Sequence, residues 1–167
     1  MPALDLSANC VSTGVVADYT HADLIIPELR ERDPAGVISE LSQVLQRHGS
    51  LADMLPFYHA ALNQELLASS AVECGLAFPH ARLSGVKRLQ FAVGRAREPV
   101  IWGPKGSTPV QFVFLLAVPA TDAAPYLQLL AALARLGKGC DLLAELRNVP
   151  DATAMFLVLQ KLKMRDV

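Results

Sequence analysis

Val110-Gln111-Phe112-Val113-Phe114-Leu115-Leu116-Ala117-Val118 is an almost unbroken apolar run. A membrane-spanning helix needs about 20 such residues, so this segment is too short to cross a bilayer. Its Val, Phe and Leu content, without polar alternation, predicts a central strand covered on both faces. Such a strand requires helices above and below it. Downstream, Thr121 is expected to cap a helix running from Asp122 to Leu136. Pro125 falls in its first turn, where no intrahelical donor is lost. Tyr126, Leu129, Leu130, Leu133 and Leu136 make a broad apolar stripe that Gly137 and Gly139 terminate. A shorter helix is expected near Asp141 to Arg147, and a last one after Pro150-Asp151, with Met155, Leu159 and Leu162 facing inward.

Upstream, Pro99 to Pro109 is rich in turn residues, with Val100-Ile101-Trp102 read as a short edge strand. Leu89, Phe91 and Val93 alternate with Gln90, Ala92 and Gly94, the pattern of a half-buried strand. Ser69 to Phe78 reads as strand and turn. Ser50 is expected to cap a helix carrying Met54, Tyr58, Leu62 and Leu66 on one side, with Pro56 delaying or kinking it. Asp33-Pro34 opens an earlier helix whose face is Val37, Ile38, Leu41, Val44 and Leu45, and His48-Gly49 closes it. Leu24 to Pro27 is a short strand candidate. This order predicts an α/β fold in which one sheet is flanked by helices, a single domain over residues 1–167 with 1–23 as a loose lead-in.

The 167 residues are enough to bury a core without staples, and 52% are hydrophobic against 19% charged, a globular composition. With 15 basic and 16 acidic side chains the net charge is −1 and no long basic run exists, which argues against nucleic acid as a partner. The N-terminal residues lack the basic and apolar regions of a secretory signal. Cys10, Cys74 and Cys140 are dispersed, without Cys-x-x-Cys spacing, which favours reduced thiols in a cytoplasmic protein, and the short apolar run predicts no direct membrane insertion. No histidine pair has a metal-ligand spacing, so neither metal nor cofactor is expected. His21 and His48 fit capping roles, and His59 a helix surface. Cys74 reads as a small packed thiol and Trp102 as a packing residue.

Chemistry is carried by Gly75-Leu76-Ala77-Phe78-Pro79-His80-Ala81-Arg82. Gly75 permits close backbone approach, and Pro79 biases Phe78 toward extended backbone while interrupting strand pairing. His80 then sits at a strand end, where a side chain faces a cleft or loop and an imidazole can form a covalent intermediate near neutral pH. Taken alone, the same eight residues are equally consistent with a packed turn histidine.

The stretch from Ser69-Ser70 through Arg82 to Lys87-Arg88 resembles the active-site region of EIIA domains of the bacterial phosphotransferase system. The likeness is to the fructose/mannitol type, which includes the nitrogen-regulatory EIIA proteins. Phe91 to Arg95, Phe112 to Pro119 and Leu127 to Arg135 follow in the same order, and the likeness spans about Leu24 to Leu162. This resemblance implies a mixed central sheet with helices on both faces and a phosphohistidine at His80. It implies an HPr-like phosphocarrier as donor, and an EIIB component or a regulatory target as the next partner. Ser69, Ser70 and Arg82 become candidate phosphate contacts, with Leu76, Phe78 and Leu83 as an apolar docking rim. Self-association to a homodimer is compatible with the family, without an interface signal here.

Two departures stand out. Where the family carries a second histidine this chain has Tyr126, and where it carries an arginine before the Ser/Thr pair it has Gln64. Losing both charges would slow transfer by about a hundredfold unless Arg82, Lys87 or Arg88 compensates. Glu73 adds a negative charge near the expected phosphate. The resemblance therefore implies a regulatory phosphocarrier accepting phosphate on His80, the alternative being a degenerate EIIA-like module that regulates a partner by binding.

Overall fold

The structure is a computed structural model that describes residues 14–103, 108–121, 124–138 and 141–165. Five strands form one mixed sheet: β1 (Ile25–Ile26), β2 (Leu76–Ala77), β3 (His80–Leu83), β4 (Gln90–Trp102) and β5 (Thr108–Pro119). β1 runs parallel to β4, β4 antiparallel to β5, and both β2 and β3 parallel to the other side of β5. Among the described residues the α-helices are α1 (Pro34–Arg47), α2 (Met54–Leu67), α3 (Ala124–Ala134), α4 (Asp141–Asn148) and α5 (Ala152–Leu159).

Side chains alternate across the sheet into two cores, as the strand period requires. Phe91, Val93, Phe112, Phe114, Leu116 and Val118 pack against α3, α4 and α5. Ala92, Ala96, Val113, Leu115 and Ala117 pack against α1 and α2. This accounts for the unpatterned apolar run that opened the reading: β5 is buried on both faces from Phe112 to Val118. The same holds for β4. Its first five residues are all buried, so Leu89–Gly94 is not the half-buried strand its alternation predicted. Val100-Ile101-Trp102 is also no separate edge strand. It continues β4 after a register shift between Arg95 and Val100, pairs with Thr108–Val110, and buries Trp102 completely.

Helix starts follow capping chemistry. Asp33 accepts from Gly36 N–H at 2.6 Å and opens α1, and Gly49, at φ 88°, follows its end. The cap of α2 is Asp53, which accepts from Leu55 N–H, and not Ser50, whose hydroxyl instead bonds the side chain of buried Gln90. Pro56 lies in the first turn of α2 and costs it no hydrogen bond. The inward face of α2 is Phe57, Ala61 and Glu65, not the predicted Met54–Leu66 line; Leu66 is exposed. Asp151 caps α5 through Ala154 N–H. The predicted cap of α3 precedes residues 122–123, which lie outside the described residues with Gly139, Cys10 and Cys140.

The lead-in expected over residues 1–23 lies partly outside the described residues. Its described part is anchored: Val16 is buried and donates its N–H to Leu162, and Thr20 donates its hydroxyl to the Phe91 carbonyl at 2.8 Å.

One register governs the site. Leu76 pairs with Phe112, Ala77 with Val113 and His80 with Leu116, so the offset is unchanged across Phe78-Pro79. β2 and β3 are one strand interrupted but not slipped.

Candidate functional site

Pro79 cannot donate to the sheet ladder, yet its carbonyl accepts from Leu116 N–H at 3.0 Å, which holds the interrupted strand against β5. His80 follows as the first residue of β3 and is half-buried. It pairs with Leu116, and Arg82 with Val118, both partners lying in the core beneath α3. Paired residues point to the same face, so the imidazole rises toward α3. There it meets Tyr126, with ring centroids 5.4 Å apart and planes tilted by 40°.

The ring is oriented from within its own turn. His80 Nδ1 lies 3.2 Å from the Phe78 carbonyl oxygen. A carbonyl only accepts, so Nδ1 carries a proton here, and of the two neutral tautomers the contact selects the one with its lone pair on Nε2. Burial raises the Tyr126 pKa above 10.0, so its phenol stays protonated and able to donate at neutral pH.

Behind Phe78 lies a buried polar chain. Glu65 is 6% exposed yet has a donor for each carboxylate oxygen. Its Oε1 accepts from Trp102 Nε1 at 2.5 Å and from Ser70 N–H at 2.8 Å. The Ser70 hydroxyl donates to Oε2 at 2.9 Å, and its oxygen accepts from Phe78 N–H at 2.9 Å. Phe78 is thus gripped at its N–H by Ser70 while its carbonyl receives the His80 proton. An acceptor-only carboxylate suits three converging donors, and removing it would strand them.

The other predicted residues fall as follows. Ser69 is exposed and caps the Ala71 N–H, whereas the Ser70 hydroxyl is committed to Glu65 and Phe78. Arg82 is exposed, on the same face as His80, and donates from Nε and Nη2 to the Ala120 carbonyl at 3.2 and 2.7 Å. That bond pins its guanidinium to the chain leading into α3. Gln64 is exposed near the end of α2, and among the described residues no hydrogen bond joins its side chain to His80. Glu73, Lys87 and Arg88 are exposed. The apolar rim needs correction: Leu76 and Phe78 are buried at 0% and 6%, because their positions on the sheet turn them into the α3-side core, leaving Leu83 alone half-exposed. Cys74 is half-buried with its sulfur against Gly137.

Sequence reasoning passed over Glu65. The signal was present in the i, i+4 line Phe57–Ala61–Glu65 and in the need of a buried Trp102 for an acceptor. Together the site offers an imidazole oriented through Nδ1, a phenol donor, and a guanidinium on the same strand face. A nucleophilic ring nitrogen with a phenol and a guanidinium nearby is a residue set of the kind that phosphoryl transfer uses.

Comparison with known proteins gives one consistent result. Residues 18–162 match the family described as "Phosphoenolpyruvate-dependent sugar phosphotransferase system, EIIA 2". A "Nitrogen regulatory protein" of Bradyrhizobium diazoefficiens is 32% identical over 144 residues, covering 86% of this chain and 94% of that one. The crystal structure of nitrogen regulatory protein IIA-Ntr from Neisseria meningitidis superposes with a TM-score of 0.73 at 25% identity, over 86% of this chain and 98% of that chain. The complex of enzyme IIAMTL with phosphorylated enzyme IIBMTL from Escherichia coli shares the fold, with a TM-score of 0.70 at 15% identity, over 83% of this chain and 95% of that one.

Proposed function

Because the chain belongs to the EIIA 2 family of the phosphoenolpyruvate-dependent sugar phosphotransferase system, we propose that it is a regulatory phosphocarrier whose His80 Nε2 takes the phosphoryl group. The observation that supports this reading is the Nδ1 contact with the Phe78 carbonyl, which favours the tautomer whose free nitrogen is Nε2. The Nε2 lone pair forms the new N–P bond as the donor's P–N bond breaks and its electron pair returns to the donor nitrogen. The Nδ1 proton stays on His80, held by Phe78, so no proton moves in the step. Tyr126 supplies a hydrogen bond to the phosphoryl oxygens in place of a second imidazole, and Arg82 supplies charge.

The donor is an HPr-like phosphocarrier. An EIIB component or a regulatory target receives the group or reads its presence. The nitrogen regulatory relatives support the regulatory choice. The setting is cytoplasmic, with which the fold agrees so far as no helix among the described residues is long and apolar enough to cross a membrane.

The test is incubation with phosphoenolpyruvate, the first enzyme of the system and its small carrier, followed by intact mass. One added phosphoryl group, lost in His80→Ala, is expected. No addition, or addition that survives His80→Ala, overturns the proposal.

A further inference from the structure

We propose that His21, Asp23 and His48 form a binding site for one divalent transition-metal cation of the zinc class. The site is built by other elements than those that present His80, so it stands whether or not His80 carries phosphate.

Two backbone segments converge there. His21 is the cap of the short 3-10 turn Ala22–Leu24, its Nδ1 accepting from Asp23 N–H at 3.1 Å and lying 3.3 Å from Asp23 Oδ2. His48 ends α1, its own N–H bonded to the Val44 carbonyl at 3.0 Å. The two imidazoles face each other with centroids 5.1 Å apart and planes 34° from parallel. One ligand atom from each of the three residues lies within 4.8 Å of the other two. Ligands about 2.0–2.1 Å from a tetrahedral zinc stand roughly 3.3 Å from one another, so the cluster needs to close by at most about 1.5 Å. Side-chain rotation can supply that movement, because the His21 and Asp23 side chains are 54% and 77% exposed.

The chemistry of the donor set selects the ion. Two imidazole nitrogens and one carboxylate suit zinc, cobalt, nickel or copper, whereas calcium and magnesium require all-oxygen shells. Three protein ligands leave a position open. Asp23 and His48 both line a cavity of about 920 Å³, so that position can face into it. The field there favours a cation: Asp23, Glu28, Glu31 and Glu40 line it against Arg30 and Arg47. Glu40 is held by the N–H groups of Arg30 and Glu31, so it contributes charge and not a ligand. The closing carbonyls of α1 add partial negative charge beside His48.

The experiment titrates the full chain with Zn²⁺ alone by calorimetry, with thermal melts in parallel. One equivalent should bind, and saturating zinc should raise Tm by about 5 °C. His21→Asn keeps a good cap for the turn while removing the imidazole, and His48→Ala removes the second ligand. Each should weaken binding at least tenfold and abolish the zinc-dependent shift, while His80→Ala binds as the parent does. Absence of binding in the parent chain overturns the proposal. So does undiminished binding in His21→Asn or His48→Ala, which would place the zinc on thiols or other histidines.

Discussion

Glu65→Gln probes whether the buried chain behind Phe78 governs His80. In the parent the carboxylate accepts from Trp102 Nε1, Ser70 N–H and the Ser70 hydroxyl. Glutamine keeps one oxygen, which can retain the two N–H donors on Oε1. Its amide nitrogen would then face the Ser70 hydroxyl oxygen, which already accepts from Phe78 N–H. The Ser70 hydroxyl proton is left only Oε1, 3.1 Å away and already shared by two N–H donors, a weakened arrangement that costs about 1–3 kcal/mol. Taking about 2 kcal/mol, Tm should fall by roughly 4–8 °C for a chain of this size. Phe78 then loses its fixed anchor, and the carbonyl that selects the Nδ1–H form of His80 can swing. A misplacement worth about 1.4 kcal/mol at the nucleophile slows phosphoryl transfer about tenfold. Melting curves give the first number, and single-turnover phosphorylation from a phosphorylated carrier gives the second. A variant melting within about 1 °C of the parent would refute the account of Glu65. A destabilised variant that transfers at the parent rate would show that Glu65 supports the fold without positioning the imidazole.

Four further outcomes are expected. Tyr126→His restores a second imidazole beside His80 and should speed transfer about tenfold, whereas Tyr126→Phe removes the donor and should slow it severalfold without lowering Tm near neutral pH. The phenol pKa is raised in the fold by desolvation, so its stabilising contribution is complete below pH 10 and is lost as pH climbs through the folded value; alkaline melting of Tyr126→Phe should therefore fall less steeply. A Cβ at Gly137 would lie 2.4 Å from the Cys74 sulfur, so Gly137→Ala should cost about 1–3 kcal/mol in urea melts, and adding Cys74→Ala should recover most of it. Asp53→Ala should cost about 1 kcal/mol by removing the α2 cap, measured the same way.

The parts legible in the sequence were those where local chemistry and tertiary demand agree. The apolar run from Val110 to Val118, the Asp33-Pro34 and Asp151 caps, and the Gly49 stop each state their role without reference to distant residues. Failures came where partners remote in sequence decide the outcome. Glu65 is inward because Trp102 and Ser70 meet it, and its place on the Phe57–Ala61 line is hidden by its charge unless those distant donors are considered. Ser50 is drawn off its expected cap by Gln90, forty positions away. The irregularity between Arg95 and Val100 let β4 resume into Val100–Trp102, a segment read from the sequence as a separate edge strand. His21 and His48 approach only because α1 ends beside the 3-10 turn, so their spacing along the chain carried no motif. His80 was marked by its proline-ended strand and Tyr126 only by family likeness, and the fold brings the two rings to 5.4 Å between centroids with planes tilted by 40°.

The unslipped offset from Leu76 through His80 also restricts how this gene segment can change length. Deleting one residue at Phe78-Pro79 would rotate everything after it by one pleat, sending the imidazole beneath α2 and Ala81 toward α3. The same deletion would expose apolar groups and break the pairing with Leu116. Indels here should be purged as folding failures before any loss of phosphoryl chemistry could be seen, while two-residue changes conserve parity and remain open to selection.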